Sequence, residues 1–373
     1  MEICMNETAD LEYLEKKYQL SKRLLLDSNP FFENEKIFKG EKIVIPGWGF
    51  VQNNPFHPSP SLTKNTYNAV PISWPVIDPK RPYHFFALTS DIKVLKKNYP
   101  FIKERIIGRS VLGNPLVELL IGSGTKKVHM NGSFHANEWI TTAIMMKWLN
   151  EYVRKLILNE SINGISVRQL YEQITLSFVP MVNPDGVNLV LAAESFDPQV
   201  KEQAVKLNNN CEDFSDWKAN IRGVDLNNQF PAFWEIEKER KSPKSPAPRD
   251  YPGDYPLSEP EAIAMSELVK QSQFELIVAF HTQGEEIYWG YLNYEPEKSE
   301  EIVKEYELLS GYKGIRMIDS HAGFRDWFIK EYRKPGFTVE LGRGRNPLPL
   351  DQFDEIYRKA KGIFWASLYL LCK

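Results

Sequence analysis

The 373-residue chain predicts an α/β protein, a mixed β-sheet flanked by helices, with a small α+β module in front of it. Three observations carry that expectation. From about residue 85 helix-spaced and strand-like apolar patterns alternate, as they do where helices are layered on a sheet. The runs Phe274–Phe280 and Gly336–Leu341 are rich in the apolar and β-branched residues of buried strands. The first 46 residues form a separate compact pattern, cut off by a stretch dense in proline.

Taken in order, residues 11–26 place apolar side chains at helical spacings, with Ser21 as an N-cap between two short helices. Asp27-Ser28-Asn29-Pro30 stops the second, and Ile37–Pro46 reads as a turn into a short strand ended by proline. Residues 47–84 read as a semi-rigid linker, because Pro55, Pro58, Pro60, Pro71, Pro75, Pro79 and Pro82 fix the backbone and remove donors. Its aromatics Trp48, Phe50, Phe56 and Trp74 are expected to anchor it on a domain surface.

Beyond it, Ser90–Tyr99 reads as a helix, and 105–108 and 115–122 as strands joined by a turn at Gly113-Asn114. Val128–Phe134 is the next strand, Trp139–Leu158 a long helix, and Ile174–Val182 a strand ended by an Asn183-Pro184-Asp185-Gly186 turn. Ser258 with Glu261 predicts a capping box for a helix over 259–271. Strands over 274–281 and 336–341 and a helix over 350–371 complete the pattern.

Net charge is −3, which gives no global field for nucleic acid or an anionic membrane and excludes both as expected partners. Cys4, Cys211 and Cys372 are an odd set without C-x-x-C spacing, so free thiols are expected. The N-terminus lacks a basic start followed by an apolar stretch, and no run of about 18 apolar residues occurs. The expectation is a soluble, cytoplasmic protein, acting inside sporulating cells if the source forms spores.

The chemistry concentrates in Asn131-Gly132-Ser133-Phe134-His135-Ala136-Asn137-Glu138-Trp139. A histidine and a glutamate three apart at a strand-to-helix turn can address one metal ion, and imidazole nitrogen with carboxylate oxygen suits zinc. His281, at the end of a buried strand, is a third ligand far along the chain. With Asn183-Pro184-Asp185-Gly186, Gly223-Val224-Asp225-Leu226-Asn227 and Phe337-Thr338-Val339-Glu340-Leu341, these stretches resemble the M14 zinc carboxypeptidase family, in its order and across about residues 85–373.

That resemblance implies one zinc ion held by His135, Glu138 and His281, with Glu340 as the carboxylate that takes a proton from the attacking water and passes it to the leaving amine. It implies Asp225 as the acceptor for the ring N–H of His135. The cation that polarises the scissile carbonyl is either Lys218 or Arg222, with Arg222 favoured for its planar fork.

Three departures from the family shape the functional expectation. Asn227-Asn228 stands where the exopeptidases have an Asn-Arg pair that clamps the substrate's terminal carboxylate. Ile318 occupies the place of the tyrosine that closes over substrate, with His321, Asp319 or Ser320 nearby as a substitute. Arg325 occupies the specificity position, where a cation favours a leaving residue whose side chain ends in a carboxylate, as diaminopimelate does.

The first 46 residues resemble a LysM module, a fold that binds glycan chains containing N-acetylglucosamine, although Asn6-Glu7-Thr8 replaces its usual Gly-Asp-Thr. The organisation expected is a LysM-like module at 1–46, a linker at 47–84 and a zinc peptidase domain at 85–373. Together these features resemble the branch that hydrolyses the γ-D-glutamyl bond to meso-diaminopimelate in peptidoglycan peptides or muropeptides. The alternatives are a metallocarboxypeptidase acting on ordinary peptides and a non-catalytic peptidoglycan-binding protein.

Overall fold

A computed structural model describes residues 1–32, 36–50 and 69–372. Eight strands form the central sheet, in the spatial order Lys313–Ile315, Glu286–Tyr288, Gly336–Leu341, Leu276–Thr282, Lys126–Gly132, Ile174–Val179, Pro115–Ile121, Lys103–Arg109. The four middle strands run parallel, and the Pro115–Ile121 hairpin and Glu286–Tyr288 add antiparallel edges. The sheet is therefore mixed, as the alternating pattern predicts.

Local chemistry explains each end of the hairpin. Gly113 at φ +83° turns the chain, and the Ser110 hydroxyl accepts from Asn114 N at 3.0 Å while its neighbour Arg109 pairs with Pro115. On one face the helices Ile140–Leu158 and Phe353–Tyr369 cover the parallel strands. Trp148 stacks there on Phe364 and lies against Phe178 and Trp365, all buried, so truncating it to alanine costs about 3–5 kcal/mol. Phe324, Trp327 and Phe328 close a second core on the opposite face, with Phe230 and Phe134.

Boundaries move where tertiary partners outrank local pattern. The helix expected at Ser90 begins at Phe85, because the His84 ring nitrogen accepts from Ala87 N at 3.2 Å and caps it. The Asn183 turn is the start of a helix, Pro184–Ala192, with the Asn183 side chain accepting from Gly186 N at 3.0 Å. Ser258 does not cap the next helix. Gln229 Oε1 takes Ser258 N, and Glu261 turns inward to accept from Val111 N at 3.1 Å, so the helix Pro260–Ser272 starts without a capping box.

At the N-terminus the strand Glu2–Cys4 pairs antiparallel with Lys42–Val44, and the helices Leu11–Tyr18 and Lys22–Ser28 lie between them in sequence. Asp10 and Ser21 cap the two helices. The module packs against the rest of the protein through Leu20 and Leu24 in the main core, through Arg168 donating to Gln19 O, and through Tyr171 donating to Asp27 at 2.7 Å.

The described flanks of the expected linker are fastened to the rest of the protein. Trp48–Phe50 pairs with Ala69–Pro71, Trp74 donates to Asn150 O at 2.9 Å beneath Lys147 and Arg154, and Ile77 and Tyr83 are buried in the main core. Pro55, Phe56, Pro58 and Pro60 lie outside the described residues. The three cysteines are free thiols. Among the described residues no helix is long and apolar enough to cross a membrane.

Candidate active site

The parallel strands deliver their carboxyl ends to one edge of the sheet, the usual place for a site in such folds. Strand Lys126–Gly132 ends at Ser133, whose φ of +48° breaks the extended run. Ser133 N donates to the Thr141 hydroxyl at 2.9 Å and Ser133 Oγ lies 2.7 Å from the Thr142 hydroxyl, which fastens the strand end to the first turn of the helix Ile140–Leu158. Between them the short 3₁₀ turn Ala136–Glu138 sets His135 and Glu138 side by side.

His135 Nδ1 lies 2.8 Å from Glu138 Oε1, and His281 Nδ1 lies 3.0 Å from Glu138 Oε2 and 3.1 Å from His135 Nδ1. All three side chains are buried. His281 arrives on the neighbouring strand Leu276–Thr282, and the next residue's backbone N donates to Glu138 Oε2 at 3.2 Å. The two imidazoles outweigh burial and hold the Glu138 carboxyl well below its usual range.

Asp225 begins the turn Leu226–Asn228, its Oδ1 accepting from Asn227 N at 3.0 Å. The same oxygen lies 3.2 Å from His135 Nε2. Donating there fixes the proton on Nε2 and leaves Nδ1 bare toward Glu138 and His281. Lys218 stands on the other side, with Nζ 3.4 Å from Asp225 Oδ2. Its backbone carbonyl accepts from Ala136 N at 3.0 Å, so the lysine is tied to the His135 turn itself. Burial pulls the Lys218 ammonium down, but Asp225, Glu138 and Asp250 outweigh it and keep it charged.

Glu340 sits opposite His281 on the adjacent parallel strand. Burial and the nearby Glu138 carboxylate push its carboxyl up to about 8, against the pull of His135 and Lys218. Two cavities meet at this wall of His135, Lys218, Tyr288 and Glu340. One, of about 450 Å³, also touches Glu138, Arg249 and Arg345. The other, of about 160 Å³, is lined by Asn227, Asn228, Ile318, Arg325 and Asp326.

Arg325 is buried and ion-paired with Asp326 through Nε and Nη2, while Nη1 has no protein partner. A buried guanidinium nitrogen left without an acceptor is costly unless a ligand supplies one.

The structure thus gathers His135, Glu138, His281, Glu340, Asp225, Lys218, Asn227, Asn228 and Arg325 around one place. Arg222 and His321 are not among them, and both expectations are corrected. Asn220 Oδ1 accepts from both Arg222 N and Val224 N, forming a tight turn that points Arg222 away, toward Glu259 at 3.6 Å and a different cavity. His321 Nδ1 lies 2.9 Å from the Tyr291 hydroxyl, packed on Phe233. Tyr288, Arg249 and Arg345 were not legible beforehand. Tyr288 comes in on a three-residue strand, beside the place where Ile318 leaves no hydroxyl.

Parallel-strand ends carrying a buried His–Glu–His set, with a further acidic side chain outside that set on the next strand, make a metallopeptidase. The zinc carboxypeptidase family pattern matches residues 88–361, and the chain belongs to that family. It is 51% identical over 299 residues to gamma-D-glutamyl-L-diamino acid endopeptidase 1 of Lysinibacillus sphaericus, covering 80% of this chain and 75% of that protein. It is 52% identical over 301 residues to protein YqgT of Bacillus subtilis (strain 168), covering 80% and 79%. The structure of bovine thrombin-activatable fibrinolysis inhibitor in complex with tick carboxypeptidase inhibitor aligns with a TM-score of 0.62 at 18% identity, over 79% of this chain and 98% of that one, and speaks for the fold.

The donor set fits the zinc that the family uses. Three ligating atoms from His135, Glu138 and His281 lie within 4.8 Å of one another. His135 Nδ1 and His281 Nδ1, 3.1 Å apart beside one carboxylate, form a close pair that a divalent cation satisfies well.

Proposed function

We propose that the protein hydrolyses the γ-D-glutamyl bond to meso-diaminopimelate in peptides derived from peptidoglycan, as a γ-D-glutamyl-L-diamino acid endopeptidase. The observation that carries this reading is the unpartnered Nη1 of buried Arg325 in the small cavity beside Glu340. A leaving residue whose side chain ends in a carboxylate supplies the missing acceptor, and diaminopimelate is such a residue. Asn228 in the same cavity provides no charge to clamp a chain-terminal carboxylate. The likeness to the Lysinibacillus sphaericus endopeptidase supports the same substrate class.

Zinc, held by His135, Glu138 and His281, supplies Lewis acidity to the reacting centre. Glu340, ionised once a divalent cation offsets the neighbouring Glu138 charge, takes the proton of the attacking water and hands it to the leaving amine of diaminopimelate. Lys218 presents a positive charge to the oxygen on which negative charge develops. Asp225 orients His135 and holds Lys218 in place. The strand–helix–helix–strand module at 1–46 supports a glycan-binding role as a LysM-like element, which would raise local substrate concentration by a second attachment. Recycled muropeptides, or cell-wall peptides in sporulating cells, are the corresponding substrates.

Mass spectrometry of products from L-Ala-γ-D-Glu-meso-diaminopimelate and from an α-linked peptide with an acidic C-terminus, each with and without chelator, tests the reading. Chelator-sensitive release of L-Ala-D-Glu from the first alone is expected. Cleavage of only the α-peptide would replace it with an ordinary metallocarboxypeptidase.

A further inference from the structure

The wall of His135, Lys218, Tyr288 and Glu340 has a cavity on each side. The leaving side chain reaches Arg325 in the smaller one, so the acyl half of the substrate extends into the wider one. That cavity carries two further cations on its lining, Arg249 and Arg345. We propose that Arg345, assisted by Arg249, binds the free α-carboxylate of a γ-linked glutamyl residue and so selects γ-glutamyl substrates over α-linked ones that lack an acyl-side anion. This rests on the substrate class given above.

The chemistry of the linkage supplies the ligand. When glutamate is joined through its side-chain carbonyl, its α-carboxylate stays free and anionic. Four carbon–carbon bonds separate it from the scissile carbon, about 5 Å in extended form. An α-linked chain offers an anion at that distance only when its acyl residue is itself glutamate, whose side-chain carboxylate then stands there. An anion on the acyl side is therefore the feature that separates a γ-glutamyl linkage from α-linkages of other residues, and a guanidinium fork is suited to reading it.

The placement of Arg345 fits this task. Its neighbour Asn346 donates from Nδ2 to Thr282 O at 2.9 Å and accepts from the Thr282 hydroxyl at 2.7 Å, and the same Nδ2 lies 3.5 Å from Glu138 Oε1. The backbone of Arg345 is thus fastened beside the His281 strand end, one residue from a contact with a metal ligand. Its side chain is 82% exposed, with Nη2 on Asp216 at 2.5 Å. Arg249 is 55% exposed, with Nε on Asp250 at 3.0 Å. Exposed pairs of this kind are weak and exchange readily, so a substrate carboxylate can compete for either fork. Lys218, the remaining cation of the cavity, is already engaged by Asp225 and Asp250.

Two substrates differing only in this charge test the proposal: L-Ala-γ-D-Glu-meso-diaminopimelate and its α-amide, L-Ala-γ-D-isoglutaminyl-meso-diaminopimelate. The zinc-loaded full chain is expected to prefer the free acid by about tenfold or more in kcat/KM, within the range of a charge-assisted hydrogen bond. Arg345→Gln is expected to shrink that ratio, and Arg345→Gln with Arg249→Gln to bring it near one, chiefly through KM, while Arg345→Lys keeps part of it. Equal use of both substrates by the native protein, or a preference that survives in the double variant, overturns the proposal. No cleavage of either, with an α-peptide cleaved, overturns the substrate class and the proposal with it.

Discussion

Asp225 Oδ1 lies 3.2 Å from His135 Nε2, and this single contact decides which imidazole nitrogen faces the metal site. Burial raises the cost of the Asp225 charge, but Lys218 and His135 outweigh it and hold the carboxyl well below its usual range. Asp225→Asn keeps the shape, weakens the acceptor and leaves Lys218 without its nearest anion. Zinc affinity is expected to fall about 10- to 100-fold. Competition with a metal-binding dye measures it, and unaltered affinity would show that the contact does not support the ligand.

Glu340→Gln separates metal binding from proton transfer. Glu340 is paired in register with His281 but is not one of the three clustered ligands. Zinc content is expected to stay at one per chain while kcat falls by about 10²–10⁴-fold. Near-normal turnover would assign the proton transfer to another group.

Lys218 and Arg222 are four residues apart and belong to different places. Lys218→Met is expected to lower kcat by about 10²–10³-fold with a smaller change in KM, as loss of a charge facing the transition state does. Arg222→Met, whose side chain is 56% exposed, should change kcat by less than about twofold. Equally small effects would remove Lys218 as the polarising cation, and a loss of zinc affinity that accounts for the whole fall in kcat would assign its effect to holding Asp225.

Arg325→Gln should narrow the preference for diaminopimelate over lysine in the leaving position, because lysine has no terminal carboxylate for the fork. Asp326 then loses its partner, and an unpaired buried carboxylate costs about 3–5 kcal/mol. Thermal melts alongside kcat/KM for both substrates keep that loss apart from selectivity. An equal fall on both substrates, with the fold intact, would place the carboxylate elsewhere.

These residues differ in how far the sequence alone disclosed them. His135 with Glu138, and Glu340, sit in short contiguous stretches at strand ends, and Asp225 at the start of a 3₁₀ turn, where neighbours in sequence are neighbours in space. The sheet order could likewise be approached from alternating apolar runs. Ser258 misled because its partner Gln229 is 29 residues away, and a local capping pattern cannot register such a competitor. Arg222 misled because the Asn220 side chain rotates the turn. Tyr288 and Arg345 have no local signature at all. They reach the site through a three-residue edge strand and a side-chain clasp between Asn346 and Thr282, both products of tertiary packing.

Glu261 provides a pH signature separate from catalysis. Burial raises its carboxyl to about 7 from an ordinary 4.5, with Asp185 adding to the rise and the Val111 and Asn220 donors opposing it. The folded state therefore binds the proton more tightly than the unfolded chain does. Its contribution to stability is fully present below about pH 4.5 and is lost as pH rises through about 7. Glu261→Gln is neutral at every pH and keeps an oxygen for Val111 N. Relative to the native protein, the variant should gain about 1–3 kcal/mol between pH 5 and pH 8. Paired urea titrations across that range give the difference directly, since other ionisable groups are common to both proteins. A flat difference would mean that Glu261 remains ionised in its buried position, with Val111 and Asn220 sufficient to hold the charge.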